Sequence, residues 1–183
     1  MIVPAQTLPP MSPEEYLEYE RESDCRHELV NGYLYAMTGA SDRHEEIVAN
    51  LLAAIHGHLG QGGCRVYGAN LKIRVGDDFF YPDLFVRCAK ERGDPFFKSD
   101  PLLVIEVLSP NAQRYDRGDK RLAYQSLPSL AEYVLVSQDG PRIEVFRRIA
   151  GGWECFEYNT PETTLELASI GLRLRLRLAD IYA

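Results

Sequence analysis

The chain has 183 residues, of which 45% are hydrophobic and 26% are charged, and its formal net charge at pH 7 is −7. This composition is typical of an ordinary soluble globular protein with a substantial core. The acidic balance excludes a protein that coats nucleic acid through a general basic field, but it does not exclude a metal-bridged contact with phosphates. No apolar stretch has the length of a membrane-spanning helix, so no membrane partner is expected.

The first eleven residues are rich in proline, which predicts a loosely tethered arm over residues 1–11 and one domain over residues 12–183. This N-terminus has no basic segment followed by an apolar one, so no signal peptide is expected and the location is predicted to be cytoplasmic. The four cysteines, at positions 25, 64, 88 and 155, form no C-x-x-C pair. In that compartment they are expected to be reduced and chemically inert thiols.

The predicted order of elements is helix, hairpin, helix, several strands, helix and further strands. Ser12, Pro13 and Glu15 form a typical helix start, in which a capping side chain precedes a proline at the first helical position. Asn31 and Gly32 are typical of the two-residue turn of a β-hairpin. The other elements follow from the helical or alternating spacing of apolar residues between turn residues. The expected helices are 12–22, 41–59 and 113–126, and the expected strands are 26–30, 33–37, 65–67, 70–75, 79–86, 102–108, 133–136, 143–148 and 153–158.

Residues 102–108 are almost wholly apolar, with Glu106 as the one interruption, which is the pattern of a central strand buried on both faces. Residues 87–100 are polar and contain glycine and proline, so they are expected to form a loop. Leucine and arginine alternate over residues 172–178, which predicts an exposed edge strand or a docking tail. This order of elements predicts an α+β or α/β fold around one mixed central sheet flanked by helices.

Two of the predicted strands carry one carboxylate each, and a lysine follows on the third helix. If the strands 79–86 and 102–108 are neighbours, alternation of side chains allows Asp83 and Glu106 to point to the same place. Lys120 lies four residues after Asp116, so both side chains are expected on one helix face. Buried carboxylates are unfavourable unless they are paired with a cation or a metal ion.

This group of charges has two interpretations. Two carboxylates with a backbone carbonyl and water make an oxygen-rich site for a hard cation, Mg²⁺ or Mn²⁺. Lys120 could then orient a water over the metal or neutralise a phosphate. The alternative is a salt bridge between Glu106 and Lys120 that only rigidifies the core. The second carboxylate, Asp83, favours the metal site.

The same residues resemble the Uma2 (DUF820) family, and the resemblance extends from Ser12 to Tyr182. The motifs that carry it are Pro82-Asp83, Ile105-Glu106-Val107-Leu108-Ser109-Pro110, Asp116-x-x-x-Lys120-x-x-x-Tyr124, His27-Glu28-Leu29-Val30-Asn31-Gly32, His44 and Glu132-Tyr133-Val134-Leu135-Val136. That family belongs to the restriction-endonuclease-like, PD-(D/E)xK superfamily of metal-dependent phosphodiesterases. The resemblance implies a restriction-endonuclease-like domain with an αβββαβ core, in which Asp83 and Glu106 are metal ligands.

One position departs from the pattern of that superfamily. The lysine usually follows the glutamate by two residues on the same strand, and this chain has Leu108 there. The resemblance suggests that the lysine has moved to the following helix as Lys120, with its tip in the same space. A Lys120 ammonium between Asp83 and Glu106 would favour an enzyme, and an outward lysine would favour a scaffold.

The resemblance also implies roles for two further residues. Glu28, beside the hairpin turn, resembles an additional acidic metal ligand, and the alternative is an exposed hairpin carboxylate. His44, in the first turn of the second helix, is expected to take part in proton transfer near neutral pH. The alternative for His44 is helix capping or a hydrogen bond to the hairpin. The expected catalytic residues are Asp83, Glu106, Lys120, His44 and Glu28, of which Asp83, Glu106 and Glu28 are the expected metal ligands.

Several basic residues could line a cleft that binds a nucleic-acid backbone. They are Lys72, Arg74, Arg114, Arg117 and Arg121, together with Lys120. For Arg117 and Arg121 the alternative is a solvated helix face.

These observations predict a Mg²⁺-dependent endonuclease that hydrolyses phosphodiester bonds of DNA, with double-stranded DNA as its partner. The alternative from another class is a catalytically silent binding or scaffold protein with a nuclease fold. A nuclease that acts on RNA or on the target of a toxin system is a third reading, because the phosphodiester chemistry is the same. Cutting both strands of a duplex needs two active sites, so a homodimer is expected, with the strands after Ile143 as its contact.

Overall fold

The structure, a computed structural model, describes residues 9–60, 62–109, 113–171 and 177–183, with the backbone alone at residues 113 and 114. Its helices are α1 (Pro13–Glu22), α2 (Asp42–Leu59), α3 (Gln113–Arg117), α4 (Asp119–Gln125) and α5 (Leu178–Ile181), with a short 3₁₀ helix at Ala168–Ile170. At the start of α1 the hydroxyl of Ser12 accepts a hydrogen bond from the Glu15 amide, and the Glu15 carboxylate accepts one from the Ser12 amide. This capping box confirms the predicted helix start. No helix within these ranges is long and apolar enough to cross a membrane.

The described strands form two mixed sheets rather than the single sheet expected. One has five strands in the order β2-β1-β5-β4-β7, and the other has six in the order β11-β10-β9-β8-β6-β3. The strands are β1 (His27–Val30), β2 (Tyr33–Ala36), β3 (Arg65–Gly68), β4 (Lys72–Val75), β5 (Asp78–Phe80), β6 (Leu84–Arg87), β7 (Phe97–Lys98), β8 (Leu103–Leu108), β9 (Glu132–Ser137), β10 (Ile143–Ile149) and β11 (Gly152–Tyr158). The pairs β4–β7 and β8–β9 are parallel, and the other pairs are antiparallel. The α+β class, with mixed sheets and flanking helices, is confirmed.

The predicted strand that contains Asp83 is wrong as a single strand. Its first part is β5 in the five-stranded sheet, and its last part is β6 in the six-stranded sheet. Pro82 lies at the break and has no amide hydrogen to donate to a neighbouring strand. The amides on either side of Pro82 bond carboxylates instead, Tyr81 to Glu28 at 2.9 Å and Asp83 to Glu106 at 3.3 Å. The chain therefore passes from one sheet to the other beside two carboxylates.

The third predicted helix, over residues 113–126, is interrupted and forms α3 and α4. Gly118 separates them with φ −103° and ψ −107°, which is outside the helical region. Asp116 and Lys120 consequently belong to different helices and do not share one helix face. They still come together, with Asp116 Oδ1 and Lys120 Nζ 3.8 Å apart.

The strand β8 lies inside the six-stranded sheet and all six of its residues are buried, which confirms the predicted central strand. Leu103, Ile105 and Val107 pack with α2 in one apolar cluster. Val104 and Leu108 pack with α4 and with the five-stranded sheet in another cluster. Because side chains alternate along a strand, Glu106 shares the second face and points toward α4.

The hairpin β1–β2 forms as expected. Its turn residues, Asn31 and Gly32, have φ values of 52° and 83°, which a two-residue hairpin turn of this kind requires. The amide of Met11 donates to the Gly32 carbonyl oxygen at 2.7 Å, so the end of the predicted arm is attached to this turn. Residues 1–8 of that arm lie outside the described residues, and the single domain over residues 12–183 stays a prediction.

Two predictions about less regular segments change. The short strand β7 lies within the predicted loop 87–100 and pairs in parallel with β4. In the predicted edge strand or tail, residues 172–176 lie outside the described residues. Arg177 forms an isolated bridge with Thr164, and Leu178 begins α5, so the end of that segment is helical.

The prediction of four reduced cysteines is wrong for two of them, because Cys64 and Cys88 form a disulfide. The antiparallel register of β3 and β6 pairs Arg65 with Arg87. Cys64 precedes Arg65 and Cys88 follows Arg87, so the same register places the two cysteines opposite each other. The two cysteines are 24 residues apart in the chain, so their spacing gave no sign of this register. The cysteines at positions 25 and 155 are free and exposed.

Glu132, at the start of β9, is fully buried and connects the sheet to the segment after β11. Its carboxylate accepts hydrogen bonds from Arg147 Nε at 2.7 Å and from the amides of Ala168 and Ser169 at 3.2 and 2.9 Å. We predict that Glu132→Ala lowers the free energy of unfolding by about 3 kcal/mol, because these donors lose their acceptor in a buried place. Urea unfolding followed by circular dichroism measures the change.

The control is Glu154→Ala, which removes an exposed carboxylate from the neighbouring strand β11 and is expected to leave the stability unchanged. If the Glu132→Ala protein is as stable as this control, the network around Glu132 does not support the fold as described.

Candidate active site

A cavity of about 370 Å³ lies beside the break between β5 and β6. Its wall also includes residues of the hairpin β1–β2, the N-terminus of α2, the strand β8 and the helices α3 and α4. All five residues predicted to be catalytic line it: Glu28, His44, Asp83, Glu106 and Lys120. The structure thus brings together side chains from five separate segments, and the roles given to them stay predictions.

Asp83 and Glu106 are held next to each other by reciprocal bonds between neighbouring strands. The amide of Asp83 donates to Glu106 Oε2 at 3.3 Å, and the amide of Val107 donates to Asp83 Oδ2 at 2.7 Å. The sequence argument placed Asp83 within a strand, but the structure places it in the break, where its amide is free of the ladder. The two carboxylates converge as expected, although by a different route.

Lys120 lies inside the group of carboxylates, with its side chain 7% exposed. Its Nζ is 3.0 Å from Glu106 Oε1 and 3.0 Å from Glu28 Oε1. The ammonium therefore points inward, but it lies between Glu28 and Glu106 rather than between Asp83 and Glu106. The salt bridge between Glu106 and Lys120, the alternative to a metal site, is present in this arrangement.

Burial and neighbouring charges have opposite effects on the pKa values of the residues in this cluster. Burial raises the pKa of Glu106 well above its ordinary value, because the nearby Lys120 offsets the loss of solvation only in part and Asp83 adds to the rise. Burial lowers the pKa of Lys120, but the carboxylates of Glu106 and Glu28 more than offset this, so the pKa is raised well above its ordinary value. The lysine is therefore a permanent cation at neutral pH.

Glu28 is a buried residue of β1, so the alternative of an exposed hairpin carboxylate is wrong. Its Oε1 accepts a hydrogen bond from the Tyr81 amide at 2.9 Å and is also the oxygen that contacts Lys120. Glu28 thereby binds both the backbone next to the break at Pro82 and the ammonium of Lys120. Its predicted role as a further metal ligand stays a prediction.

His44 follows the N-cap of α2 and is buried. Its amide donates to the hydroxyl of Ser41, while its side chain turns toward the cavity, with Nε2 3.2 Å from Asp83 Oδ2. Burial lowers the pKa of His44, but the hydrogen bond and the charge of Asp83 more than offset this, so the pKa is raised. A histidine that is charged over a wider pH range can hold the Asp83 carboxylate in one orientation.

Sequence reasoning missed several residues of the cavity wall. Arg26, Tyr35, Tyr81 and Tyr115 all line it. The hydroxyl of Tyr115 is buried without a hydrogen-bond partner among the described groups. The signal that could have found three of them is adjacency, since Arg26, Tyr81 and Tyr115 each lie within two residues of a motif position.

Of the predicted backbone-binding cations, Lys120 lines the cavity. The four others with described side chains lie away from its wall, namely Lys72, Arg74, Arg117 and Arg121. Arg117, for example, forms an ion pair with Glu144 on the neighbouring β10. Arg114 has no described side chain. Of the described residues in the wall, Arg26 and Lys120 are the cations.

Asp83 and Glu106 suit a hard cation by their chemistry. Within the described ranges no three histidine, cysteine, aspartate or glutamate side chains are arranged to hold a metal ion. Mg²⁺, however, is commonly bound by one or two carboxylates together with waters and substrate phosphates. Glu106 Oε1 is buried, and its contact within the same ranges is the ion pair with Lys120 Nζ at 3.0 Å. The residues present fit a two-carboxylate site of the magnesium type.

Comparison with known proteins finds relatives along almost the whole chain. The family model Uma2, described as "Putative restriction endonuclease", matches residues 13–179. Two relatives come from Synechocystis sp. (strain ATCC 27184 / PCC 6803 / Kazusa). "Uncharacterized protein slr1290" is 38% identical over 173 residues, which cover 92% of this chain and 90% of that protein. "Uncharacterized protein sll1609" is 26% identical over 140 residues, which cover 74% of this chain and 79% of that protein.

A solved structure has the same fold. It is a crystal structure from Anabaena variabilis ATCC 29413, described as "a putative nuclease belonging to DUF820". It superposes with a TM-score of 0.79 at 19% sequence identity, and the match covers 94% of this chain and 98% of that chain. At this level of identity the likeness shows the fold.

Asp116 provides a test of how the buried charges affect stability. Burial raises its pKa to about 6, against the opposing effect of Lys120. Because the folded protein binds this proton more tightly than the unfolded chain, ionisation of Asp116 destabilises the folded state as pH rises from about 4 to about 6. We predict that the stability of Asp116→Asn relative to wild type increases by about 3 kcal/mol from about pH 4 to about pH 7. Urea unfolding at a series of pH values measures it.

Asp119→Asn, which changes an exposed carboxylate on α4, is the matched control for the loss of one negative charge. A stability difference between Asp116→Asn and wild type that is the same at every pH would show that Asp116 does not resist ionisation in the fold.

Proposed function

Since the chain belongs to the Uma2 family, whose model is described as "Putative restriction endonuclease", we propose that it is a metal-dependent endonuclease that hydrolyses phosphodiester bonds of DNA. The observation that carries the proposal is the pair of adjacent carboxylates, Asp83 and Glu106, with the buried ammonium of Lys120 beside them. Two carboxylates and a cation at the wall of one cavity are the groups that phosphodiester hydrolysis with a metal ion requires.

Asp83 and Glu106 would hold Mg²⁺ or Mn²⁺, and we propose one of these ions as the cofactor. When bound, such an ion polarises the phosphate and lowers the pKa of an attacking water. The chain itself keeps the two carboxylates in place through the amides of Asp83 and Val107. Glu28, which the resemblance assigns as a further ligand, supports the site here by holding Lys120.

Lys120 would neutralise negative charge that develops on the phosphate during hydrolysis. Its ammonium is fixed by Glu28 and Glu106 at 3.0 Å each, so little reorganisation is needed when substrate arrives. Burial excludes water from this cation, which strengthens its effect on a nearby negative charge. The lysine thus reaches the site from α4 and not from the strand that carries the glutamate.

Double-stranded DNA is the substrate that we propose, and a homodimer would allow both strands to be cut. Support for the dimer comes from β11, which is the last strand of the six-stranded sheet and pairs with β10 alone in the described part of the chain. A cytoplasmic location is also a proposal. The disulfide between Cys64 and Cys88 is of a kind that persists in oxidising surroundings, and it does not support that location.

One observation favours the second candidate, a silent binding or scaffold protein. The ammonium of Lys120 lies 3.0 Å from both Glu28 and Glu106, so each of these buried carboxylates has a cationic partner within the fold. The acidic net charge of −7 is also unfavourable for binding a polyanion without a metal ion.

A cleavage assay separates the two candidates. We predict that the pure protein nicks supercoiled plasmid with Mg²⁺ or Mn²⁺ and not with chelator. Asp83→Asn, Glu106→Gln and Lys120→Met are each expected to lower the rate on the order of 100-fold or more, because each removes a charge from the site. Asp77→Asn, at an exposed carboxylate before β5, is the control and should cleave at the wild-type rate.

Circular dichroism shows whether each variant is folded, and calorimetry with Mn²⁺ compares wild type with Asp83→Asn. Equal cleavage by wild type and the three site variants would mean that a contaminant is responsible. Folded wild type that neither cleaves nor binds the metal would overturn the nuclease proposal and leave the scaffold candidate.

His44 contacts Asp83, and we expect its substitution to lower the cleavage rate less than substitution of Asp83, Glu106 or Lys120. Because His44 Nε2 contacts the carboxylate oxygen Oδ2 of Asp83, we predict that His44→Ala lowers the cleavage rate by about tenfold. His44→Gln, whose amide can donate to the same oxygen, should recover part of the rate. A Gln variant as slow as the Ala variant would show that proton transfer matters at this position and that the hydrogen bond to Asp83 does not.

A further inference from the structure

A second group of reactive side chains lies outside the cavity, where α1 leads into β1. Cys25 Sγ is 3.4 Å from His27 Nε2, and His27 Nδ1 is 3.1 Å from Glu20 Oε2. Cys25 is exposed, whereas the side chains of His27 and Glu20 are 4% and 3% exposed. A nucleophile at the surface is thus followed by a buried base and a buried carboxylate in series.

The hydrogen bonds determine which nitrogen of the imidazole carries the proton. A carboxylate can only accept, so His27 Nδ1 donates to Glu20 and Nε2 is left to accept from the thiol. The carboxylate of Glu20 is itself held by the His27 amide and by the Tyr81 hydroxyl, each at 2.9 Å. Lys72 in turn donates to that hydroxyl at 3.2 Å. The base next to Cys25 is therefore held in one orientation and one tautomer.

From this series we propose that Cys25 is a site of oxidation by small hydroperoxides, with His27 as its base and Glu20 as the residue that positions His27. The class of oxidant follows from the surroundings of the thiol. Cys25 lines neither the active-site cavity nor the second cavity, of about 260 Å³, that Glu20 and Lys72 help to form. The sulfur is exposed and belongs to neither of these cavities, so a small soluble oxidant can reach it directly.

The reaction needs only the thiol, the imidazole and the peroxide. The proton of Cys25 moves to His27 Nε2, and the sulfur attacks the terminal oxygen of the hydroperoxide. The S–O bond forms as the O–O bond breaks, and the leaving oxygen takes the proton from His27 and departs as water or as an alcohol. The sulfur is oxidised by two electrons and the peroxide is reduced by two, which gives a sulfenic acid.

The sulfenic acid would persist because no second thiol lies beside it to form a disulfide. Cys64 and Cys88 are bonded to each other, and Cys155 lies on β11 of the other sheet. The product can therefore be trapped on Cys25 itself.

Cys155 is a matched control within the same molecule. It is the other free and exposed cysteine, but its neighbours include the carboxylates of Glu144 and Glu157. Partial burial, together with these negative charges, raises the pKa of Cys155. Its thiolate is disfavoured, whereas the thiol of Cys25 has a base at hydrogen-bonding distance.

The experiment compares two proteins that each keep one free cysteine, Cys155→Ser and Cys25→Ser, after treatment with hydrogen peroxide. Dimedone traps the sulfenic acid, and mass spectrometry of peptides measures its rate of formation. We expect the rate at Cys25 to exceed that at Cys155 by about tenfold or more. Equal rates at the two cysteines would overturn the proposal.

Two substitutions in the Cys155→Ser protein test the roles of His27 and Glu20. In His27→Asn the amide can still donate to Glu20 but has no basic nitrogen to take the thiol proton. In Glu20→Gln the partner of His27 is uncharged. Each is expected to lower the rate at Cys25 by about tenfold. An unchanged rate in a folded His27→Asn protein would exclude His27 as the base. If His27→Asn does not fold, the comparison of the two cysteines and the Glu20→Gln variant still decide the outcome.

Discussion

The buried ammonium of Lys120 is the group on which the geometry of the site depends. It lies 3.0 Å from a carboxylate of each sheet, Glu28 on β1 and Glu106 on β8, and it belongs to the helix α4 that packs against them. Each of these charges is unfavourable in a buried place unless the others are present. The same contacts therefore fix the two sheets and the helix relative to one another. The arrangement of these three side chains therefore does not depend on a bound metal ion or substrate.

The break in the chain at Pro82 connects the fold with the chemistry. A proline cannot complete a sheet ladder, so the amides of Tyr81 and Asp83 are available to carboxylates. They bond Glu28 and Glu106, the two partners of the buried lysine. The transition between the sheets and the arrangement of the candidate catalytic groups consequently rest on one set of hydrogen bonds. A substitution that restored a continuous strand here would remove both.

Tyr81 links the active-site cavity to the group formed by Cys25, His27 and Glu20 on the other side of β1. Its amide donates to Glu28, and its hydroxyl donates to Glu20, which orients His27. The two groups of polar residues are thus linked through this one residue. Each has a buried carboxylate that is held by backbone and side-chain donors together, which satisfies its oxygens away from water.

Much of the local structure and the identity of the candidate site residues could be predicted from the sequence alone. The capping box of α1, the turn of the β1–β2 hairpin and the burial of β8 follow from short patterns, because they depend on the backbone preferences and apolar spacing of adjacent residues. The pattern of acidic residues and a lysine, with the family resemblance, indicated which side chains would meet.

The tertiary structure decided how these side chains meet. The division into two sheets, the interruption of the third helix at Gly118, the position of Lys120 beside Glu28, and the pairing of Cys64 with Cys88 depend on strand register and on contacts between distant segments. Local sequence does not encode these, because the energy of a buried charge or a cross-strand pair is set by neighbours that come from elsewhere in the chain.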